Sequence, residues 1–360
     1  MRNARRSIFI ITLILLMFGV VMIYSSSAIY ANERFGDSLF FLKKHLLYLS
    51  LGFAFMIYMM LRDLATIEKS AKIIMILSIT LLVLVAVPHI GFSASGARRW
   101  LRLGSFFSFQ PAEFTKFALI LYLADFLARK GYRIKDFFTG YLPCILTVCL
   151  ATFLILLQPD LGTAFSVFFI GTLIIFTSGG RATHLAATIL AGLPFLYFLI
   201  FRVPYRRKRI FVFFNPWPDR DGSGFQIVQS FLALGSGGLL GVGLGQSKQK
   251  LFYLPESHTD FIFSIIGEEL GFLGAAAVLL LFGIFVALGM HAFLKEHRPF
   301  NKILIFGITG MIAFEALVNI GVSIGAFPTK GLPLPFISYG GTSLLFHMGA
   351  VGLMLNAMRE

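Results

Sequence analysis

One short segment combines three ionisable side chains immediately before an apolar run. Glu256, His258 and Asp260 stand at alternate positions, and Phe261 opens the apolar run. A carboxylate in this place can act as a general base if a substrate hydroxyl comes within hydrogen-bond reach. Helix capping is the simpler alternative, because acidic residues are common where helices begin. A single histidine without partner ligands is weak evidence for a proton acceptor or a metal site.

Two further segments share one composition, Gln110-Pro-Ala-Glu113 and Gln158-Pro-Asp160. Proline is well tolerated at the first position of a helix, and acidic residues favour the first turn. Both segments therefore predict helix starts, whose backbone N–H groups can hold phosphate oxygens. Helix capping explains the two segments equally well.

Lys116 follows Glu113 by three residues, so the two side chains are neighbours on one helix face. A lysine just inside a bilayer is costly unless it is paired or faces water, and we expect this pair to face the substrate. Snorkelling of the lysine to the surface is the alternative. Glu315 and Asn319, four residues apart, are interpreted as interhelical hydrogen-bonding residues, with a proton or ion pathway as the alternative.

These residues belong to a chain of 360 residues, of which 57% are hydrophobic and 13% are charged. A soluble domain carries about a quarter charged residues, so the composition predicts an integral membrane protein. An all-α polytopic fold of about ten membrane helices is expected, with the N-terminal apolar run retained as the first helix and not cleaved as a signal peptide. The ten apolar stretches are 7–30, 44–62, 72–91, 110–129, 140–158, 160–178, 185–203, 261–290, 302–325 and 343–358.

An even number of spans places both termini on one side of the membrane, together with three short basic loops. The positive-inside rule makes that side the cytoplasm. Basic residues also accumulate on the opposite, outer side, at Arg98, Arg99 and Arg102 and in a loop at about 203–260. Because the orientation signal acts against these outer charges, we expect them to serve an anionic ligand.

The loop at about 203–260 is too long for a simple connection and too aromatic for disorder. We expect short interfacial helices there, packed over the outer mouth of a single membrane domain that comprises residues 1–360. Glu268 and Glu269, inside the next span, are expected to brace basic groups of neighbouring helices. The segment 325–341 is rich in proline and glycine, so it must be non-helical at membrane depth or at the surface.

Five motifs occur in a fixed order along the chain. They are Gly96-Ala-Arg-Arg-Trp100, Gln110-Pro-Ala-Glu-Phe-Thr-Lys116, Gln158-Pro-Asp-Leu-Gly-Thr163, residues 253–263 with Gly267-Glu-Glu-Leu-Gly271, and residues 330–341. Over nearly its whole length the chain resembles the SEDS family (shape, elongation, division and sporulation), the membrane glycosyltransferases of peptidoglycan synthesis. Residues 243–256 and Pro328-Thr-Lys-Gly are more similar to the division branch, the FtsW type, than to the elongation branch, RodA. Sporulation members share the division-type pattern.

The resemblance implies lipid II, an undecaprenyl-pyrophosphate-linked disaccharide peptide, as the substrate and Asp260 as the catalytic carboxylate. A β-1,4 glycan grows when an acceptor 4-hydroxyl displaces the lipid pyrophosphate with inversion, so one general base is needed. Pyrophosphate leaves well but needs positive charge. No cofactor is required, although a divalent cation could assist. The expected substrate-binding residues are Arg98, Arg99, Trp100, Glu113, Lys116, Gln158, Asp160, Glu256, His258, Lys330 and Ser338.

The resemblance also implies a class B penicillin-binding protein, a transpeptidase, as a partner beside membrane lipids, and no nucleic acid. A lipid II flippase or transporter is the main alternative, and the RodA-type elongation polymerase is another. Transporters generally bind substrate near the midplane, whereas most unusual ionisable residues here are predicted at the outer ends of the spans. Glu315 is the main feature that favours transport. A scaffold without chemistry would need neither Asp260 nor the outer basic residues.

Overall fold

The computed structural model describes residues 1–88, 91–94, 97–104, 107–251, 253–329 and 331–359. Within these residues the chain forms a bundle of α-helices with one small sheet. The helices are α1 (Arg2–Phe35), α2 (Phe40–Leu61), α3 (Leu64–Ala86), α4 (Pro111–Lys130), α5 (Leu142–Leu156), α6 (Leu161–Thr177), α7 (Ala182–Phe201), α8 (Pro204–Phe214), α9 (Phe225–Gly237), α10 (Ile262–Lys295), α11 (Pro299–Ser323) and α12 (Gly341–Ala357). The strands are β1 (Gly91–Ala94), β2 (Ala97–Leu103) and β3 (Phe107–Phe109).

Each of the ten predicted stretches coincides with a helix over most of its length, and the all-α membrane class is confirmed. Among the described helices, seven are long and apolar enough to span a bilayer, namely α1, α2, α3, α5 with the turn before it, α7, α10 and α11. The predicted count of ten is not confirmed by these criteria. Helices α6 and α12 have 17 residues each, and α4 contains Glu113, Lys116 and Asp125. Helices satisfy their own backbone hydrogen bonds, which hydrocarbon requires.

Glycines allow the helix backbones to approach closely. Helix α2 packs extensively against α12, and a Cβ at Gly352 would lie 2.3 Å from the Met56 carbonyl oxygen. On α1, a Cβ at Gly19 would lie 2.5 Å from the Phe336 carbonyl oxygen. Small residues at such contacts allow close packing, which stabilises helix pairs in lipid, where the hydrophobic effect does not drive helices together.

The antiparallel sheet between α3 and α4 was not predicted. Strand β2 is central, with Trp100 opposite Phe92 on β1 and Arg102 opposite Ser108 on β3. The sheet lies at the same end of the bundle as the start of α4 and the start of α10. We call this end the Asp260 face. Three short strands with polar and basic residues lack the length of a membrane span, so the apolar pattern alone could not reveal them.

The long loop contains short helices, as predicted. Helix α9 packs against α10, where a Cβ at Gly237 would lie 1.9 Å from the Gly267 carbonyl oxygen. Beyond α9, Lys250 Nζ forms an ion pair with Glu269 at 2.9 Å. Glu268 accepts a hydrogen bond from the Lys248 backbone N–H at 2.9 Å. Glu268 and Glu269 therefore brace the loop that precedes Asp260, and not a basic group on a neighbouring helix.

The described residues between α11 and α12 are non-helical and pack into the bundle, which confirms the predicted irregular backbone of this segment. Leu332, Leu334, Phe336 and Ile337 are buried. Phe336 has φ 66°, a conformation that side chains rarely adopt. Its ring packs near Phe285 of α10 and His347 of α12. Protein lines this irregular backbone on all of these sides, as the membrane interior requires.

Candidate active site

Asp260 lies two residues before α10 begins, and its backbone is held by α11. Asn319 Nδ2 donates to the Asp260 carbonyl oxygen at 2.9 Å and to the Leu332 carbonyl oxygen at 2.8 Å. One buried amide thus joins the end of the long loop to the irregular segment. Because this attachment uses only the Asp260 backbone, the carboxyl group remains available for chemistry.

A second set of hydrogen bonds joins the residues before Asp260 to the irregular segment. Ser338 Oγ donates to the Thr259 carbonyl oxygen at 2.6 Å and accepts from the Leu334 N–H at 2.8 Å. The Tyr339 N–H donates to the His258 carbonyl oxygen at 2.9 Å. Ser338 was expected to bind substrate. In the structure it is buried, and its two hydrogen bonds hold the backbone around Asp260 in place.

The Asp260 carboxyl group is partly buried and packs against Gly331. A Cβ added at Gly331 would lie 2.3 Å from Asp260 Oδ2. Burial raises the pKa of Asp260 to about 7, and the negative charge of Glu256 adds to the shift. A carboxyl group with this pKa can accept a proton near neutral pH, as a general base must.

Two arginines from distant parts of the chain act on Asp260. The positive charges of Arg209 and Arg99 oppose the rise in its pKa. Arg209, on α8, donates from Nη1 to the Thr329 carbonyl oxygen at 2.8 Å, which holds α8 against the irregular segment. Lys330, the next residue and an expected binding residue, lies outside the described residues. The long loop and the sheet therefore both bring positive charge to the Asp260 face.

A pH profile should report the titration of Asp260. A base is active when deprotonated, so with its pKa at about 7 glycan synthesis should fall as the pH drops through 7, by about tenfold for each further unit. In Glu256→Gln, the loss of a negative charge that raises this pKa should move the profile to lower pH. Initial rates between pH 5.5 and 8.5 measure both effects. An unchanged midpoint in Glu256→Gln would contradict the electrostatic link.

Gly331 offers a test of the packing around the carboxyl group. In Gly331→Ala the new methyl carbon overlaps Asp260 Oδ2, so the carboxyl group or the segment must shift. A displacement of about 1 Å can lower a catalytic rate by about 10²-fold. Gly340→Ala is the matched control, since its Cβ would have its nearest contact, Ser343 Cβ, at 3.5 Å. Equal rates in the two variants would show that Gly331 does not position Asp260.

The Gln158–Asp160 segment contains one correct prediction and one wrong one. Asp160 caps α6 and accepts from the Thr163 N–H at 3.1 Å. Pro159 is not the first helical residue, however, because it precedes this cap and has φ 29°. Arg99 Nε donates to the Gln158 carbonyl oxygen at 3.1 Å, and its Nη1 lies 3.7 Å from Asp160 Oδ2. The cap carboxylate thus also anchors the sheet. By contrast, Pro111 does open α4, as predicted.

Strand β2 presents the other predicted residues of this region. The side chain of Arg98 is exposed, and within the described residues it forms no hydrogen bond or ion pair. Trp100 is half-buried opposite Phe92. The guanidinium group of Arg102 stacks over the Phe92 ring, 3.3 Å from its centroid. Arg98 is therefore the strand cation best placed to meet an anionic ligand, while Arg102 is engaged by an aromatic ring.

His258 lies in a cluster of aromatic rings and not beside a substrate cleft. Its ring centroid is 4.5 Å from that of Phe41, 5.8 Å from that of Tyr339 and 5.9 Å from that of Tyr30. Burial lowers the pKa of His258, and Glu256 opposes that shift. In the described part of the chain, no group of three or more His, Cys, Asp or Glu side chains could hold a metal ion. His258 thus packs among aromatic rings in this structure, while its expected contact with substrate and the assistance by a divalent cation stay predictions.

The position of Lys116 differs most from expectation. Its side chain is 1% exposed and pairs with Glu113 Oε2 at 2.9 Å and with Glu315. Glu315 Oε2 in turn lies 2.8 Å from His347 Nε2. We expected Lys116 to face substrate, but Lys116, Glu113, Glu315 and His347 form a buried polar cluster between α4, α11 and α12. The interhelical contacts expected of Glu315 are present in this cluster. An internally paired Glu315 no longer favours transport.

Comparisons with known proteins place this arrangement in a family. Residues 5–360 match the model of the cell cycle protein family of FtsW, RodA and SpoVE. The chain belongs to this family. A relative from Geobacter sulfurreducens, named "Probable peptidoglycan glycosyltransferase FtsW", is 45% identical over 349 residues, which are 97% of this chain and 93% of the relative. Stage V sporulation protein E of Bacillus subtilis is 45% identical over 352 residues, 97% of this chain and 95% of the relative.

A solved structure shares the fold. Its description reads "Structural coordination of polymerization and crosslinking by a peptidoglycan synthase complex". One of its chains is 30% identical in sequence to this chain, and the two superpose with a TM-score of 0.81. The match covers 98% of this chain and 96% of that chain. The resemblance to the SEDS family is thereby confirmed.

Sequence reasoning missed the contacts that several residues make in and near this candidate site. Asn319, Gly331, Arg209 and His347 gain their roles from contacts more than 30 positions away or from a different element. Gly331 and Arg209 lie in segments that were singled out for proline, glycine or basic content, so a signal existed. Nothing in the pattern of α12 pointed to His347 as a partner of Glu315.

Proposed function

We propose that this chain polymerises lipid II into β-1,4 glycan strands, with Asp260 as the general base. The observation that carries the proposal is the Asp260 carboxyl group. It is partly buried, burial raises its pKa to about 7, and the positive charges of Arg99 and Arg209 interact with it. A base and cations at one end of a membrane bundle suit a substrate whose sugar and pyrophosphate lie at the lipid surface.

The class of activity comes from the family. The relatives are named peptidoglycan glycosyltransferases, and the chain covers nearly all of their length. The predicted enzyme class, peptidoglycan glycosyltransferase, is therefore confirmed. The FtsW name fits a role in cell division, although the sporulation relative is equally identical.

The proposed reaction is an inverting substitution at the anomeric carbon of the donor sugar. The acceptor 4-hydroxyl oxygen forms the new bond to that carbon while Asp260 accepts the hydroxyl proton. The bond between the carbon and the lipid pyrophosphate breaks, and the pyrophosphate leaves with the electron pair. Because pyrophosphate is stable as an anion, it needs cations and no second carboxyl acid. Arg98, Arg99 and Arg209 are the proposed cations, whereas the buried Lys116 is not among them.

The proposed partner is a class B penicillin-binding protein in the same membrane. Seven apolar helices and the likeness to a chain of a peptidoglycan synthase complex support a multi-pass protein that works beside a transpeptidase. The proposed location is the cytoplasmic membrane, with both termini in the cytoplasm and Asp260 on the outer side.

The test is polymerisation of purified lipid II by the reconstituted full chain, with and without the transpeptidase. Glycan strands that lysozyme digests are the expected product, and the transpeptidase should increase their yield. A parallel assay follows transfer of labelled lipid II between leaflets. Transfer without any glycan product, in the presence of the partner, would overturn the proposal in favour of a flippase.

Arg98→Ala should lower glycan synthesis without affecting folding. Among the described residues, removal of the exposed guanidinium group leaves no side chain without its partner. The free energy of unfolding should therefore change by less than about 0.5 kcal/mol. Loss of one charge-assisted hydrogen bond to pyrophosphate should cost about tenfold at limiting lipid II. Arg102→Ala, beside it on β2, is the control, because the Arg102 guanidinium group is stacked on Phe92. A wild-type rate for Arg98→Ala would remove this residue from the pyrophosphate site.

A further inference from the structure

A second basic site lies at the end of the bundle opposite the Asp260 face. There, the start of α1, the end of α2 and the end of α12 with the two residues that follow it line a cavity of about 400 Å³. Arg2, Arg5, Arg6 and Arg359 contribute four guanidinium groups to it. Arg2, Arg5 and Arg6 form a basic run at the start of α1, and the fold brings Arg359, from beyond α12, to the same cavity.

The cavity holds an excess of positive charge. None of the four guanidinium groups forms a hydrogen bond or an ion pair within residues 1–88 or the other described ranges, and Arg5 and Arg359 are close enough to repel each other. The first turn of α1 contains no acidic residue. The partial positive charge at the start of α1 is opposed by the partial negative charge at the end of α12, so the helix ends leave the excess of guanidinium charge largely unchanged. An anion bound among these groups would remove the repulsion.

The remaining wall of the cavity is apolar. Phe9, Met60, Leu355 and Met358 line it, and they belong to helices that continue into the apolar bundle. A soluble phosphate would gain nothing from this wall, whereas a lipid would place its phosphodiester among the arginines and its acyl chains along the helices. Basic pockets between membrane helices favour anionic lipid head groups in this way.

Orientation in the membrane does not account for the arrangement. The positive-inside rule requires basic residues near the membrane surface, and Arg181, at the start of α7, meets that need on an exposed site. The rule does not require arginines from both chain ends to meet around a shared cavity with an apolar wall.

We infer that this cavity binds the head group of one anionic phospholipid and thereby ties the start of α1 to the end of α12. The site is independent of the glycosyltransferase reaction, since it lies at the other end of α12, about 25 Å away by helix length. A bound lipid would couple α1 and α12, two helices that also contact the irregular segment on which Asp260 depends.

Native mass spectrometry of the full chain tests the inference with two lipids of identical acyl chains, dioleoyl-phosphatidylglycerol and dioleoyl-phosphatidylcholine. The wild type should retain one phosphatidylglycerol in preference to phosphatidylcholine. Each arginine near a lipid phosphate contributes roughly 1 kcal/mol, so Arg5→Gln/Arg359→Gln should weaken retention by about tenfold or more. Arg181→Gln, which removes an arginine outside the cavity, should retain the lipid as the wild type does.

Three results would overturn the inference. The first is unchanged retention in the double variant. The second is an equal fall in retention in Arg181→Gln, which would indicate general electrostatic attraction. Millimolar inorganic phosphate could displace phosphatidylglycerol, which would indicate a site for free phosphate. If the double variant does not fold, Arg359→Gln alone serves, because Arg359 is exposed beyond the end of α12; unchanged retention in that variant then takes the place of the first result.

Discussion

Asp260→Asn should insert and fold but make almost no glycan from lipid II. Asparagine keeps the size of the side chain and the backbone hydrogen bond from Asn319, but it cannot accept a proton. Loss of a positioned general base lowers a rate by about 10²–10⁴-fold, and among the described residues no other carboxylate belongs to a residue whose backbone Asn319 holds next to the irregular segment. The measurement is the initial rate of polymerisation by the reconstituted variant, together with its thermal unfolding.

Glu256→Gln is the matched control for Asp260→Asn. Glu256 lies four residues earlier and is exposed, and its negative charge acts on Asp260. Its side chain also accepts from Thr259 Oγ1 at 2.9 Å, a hydrogen bond that glutamine can keep. At pH 8 its replacement should leave most activity intact, because Asp260 is already deprotonated there. Wild-type polymerisation by Asp260→Asn would refute the mechanism, and strong loss in Glu256→Gln at pH 8 would make Glu256 the next candidate base.

Lys116→Ala should destabilise the protein strongly. Lys116 was expected to face the substrate, but the structure buries it between Glu113 and Glu315. Removal of one partner from a buried ion pair leaves an uncompensated charge and costs about 3–5 kcal/mol. We therefore expect a lower yield of folded protein and a lower unfolding temperature in detergent, with loss of activity as a consequence.

A compensated variant separates stability from catalysis. Lys116→Met with Glu113→Gln and Glu315→Gln removes all three charges, and buried ion pairs replaced in this way are often neutral for stability. This variant should unfold near the wild-type temperature, whereas Lys116→Ala should not. Wild-type thermal stability of Lys116→Ala would show that the cluster is not a structural charge pair. A stable triple variant without activity would return Lys116 to the catalytic machinery.

Much of the architecture could be predicted because it depends on local chemistry. Apolar length marks membrane helices regardless of their neighbours, so the ten stretches each coincide with a helix, and seven of these described helices are long and apolar enough to span a bilayer. The opening of α4 at Pro111 follows from the missing N–H of proline, and the irregular backbone of residues 325–340 follows from its proline and glycine content. The position of Asp260 beside the bundle end was likewise evident from the apolar run that begins at Phe261.

Pairings between distant residues could not be predicted in this way. The ion pair between Lys116 and Glu315 joins positions 199 apart, and a charged residue in an apolar run carries no mark of its partner. The sheet was missed since short strands gain their stability from cross-strand pairs and not from a periodic apolar pattern. Pro159 was misplaced because a proline before an acidic cap and a proline at the first helical position look alike in sequence.

The amino-acid sequence was sufficient for the membrane class, the family and the identity of Asp260 as the candidate base, since these depend on composition, length and motif. The tertiary structure was needed to show that Asn319, Ser338 and Gly331 surround Asp260, and that Lys116 is committed to a buried cluster. The physical reason is that the proton affinity of a carboxyl group and the energy of a buried charge depend on what packs against them. Those neighbours are set by the folded arrangement of helices, which no single segment specifies.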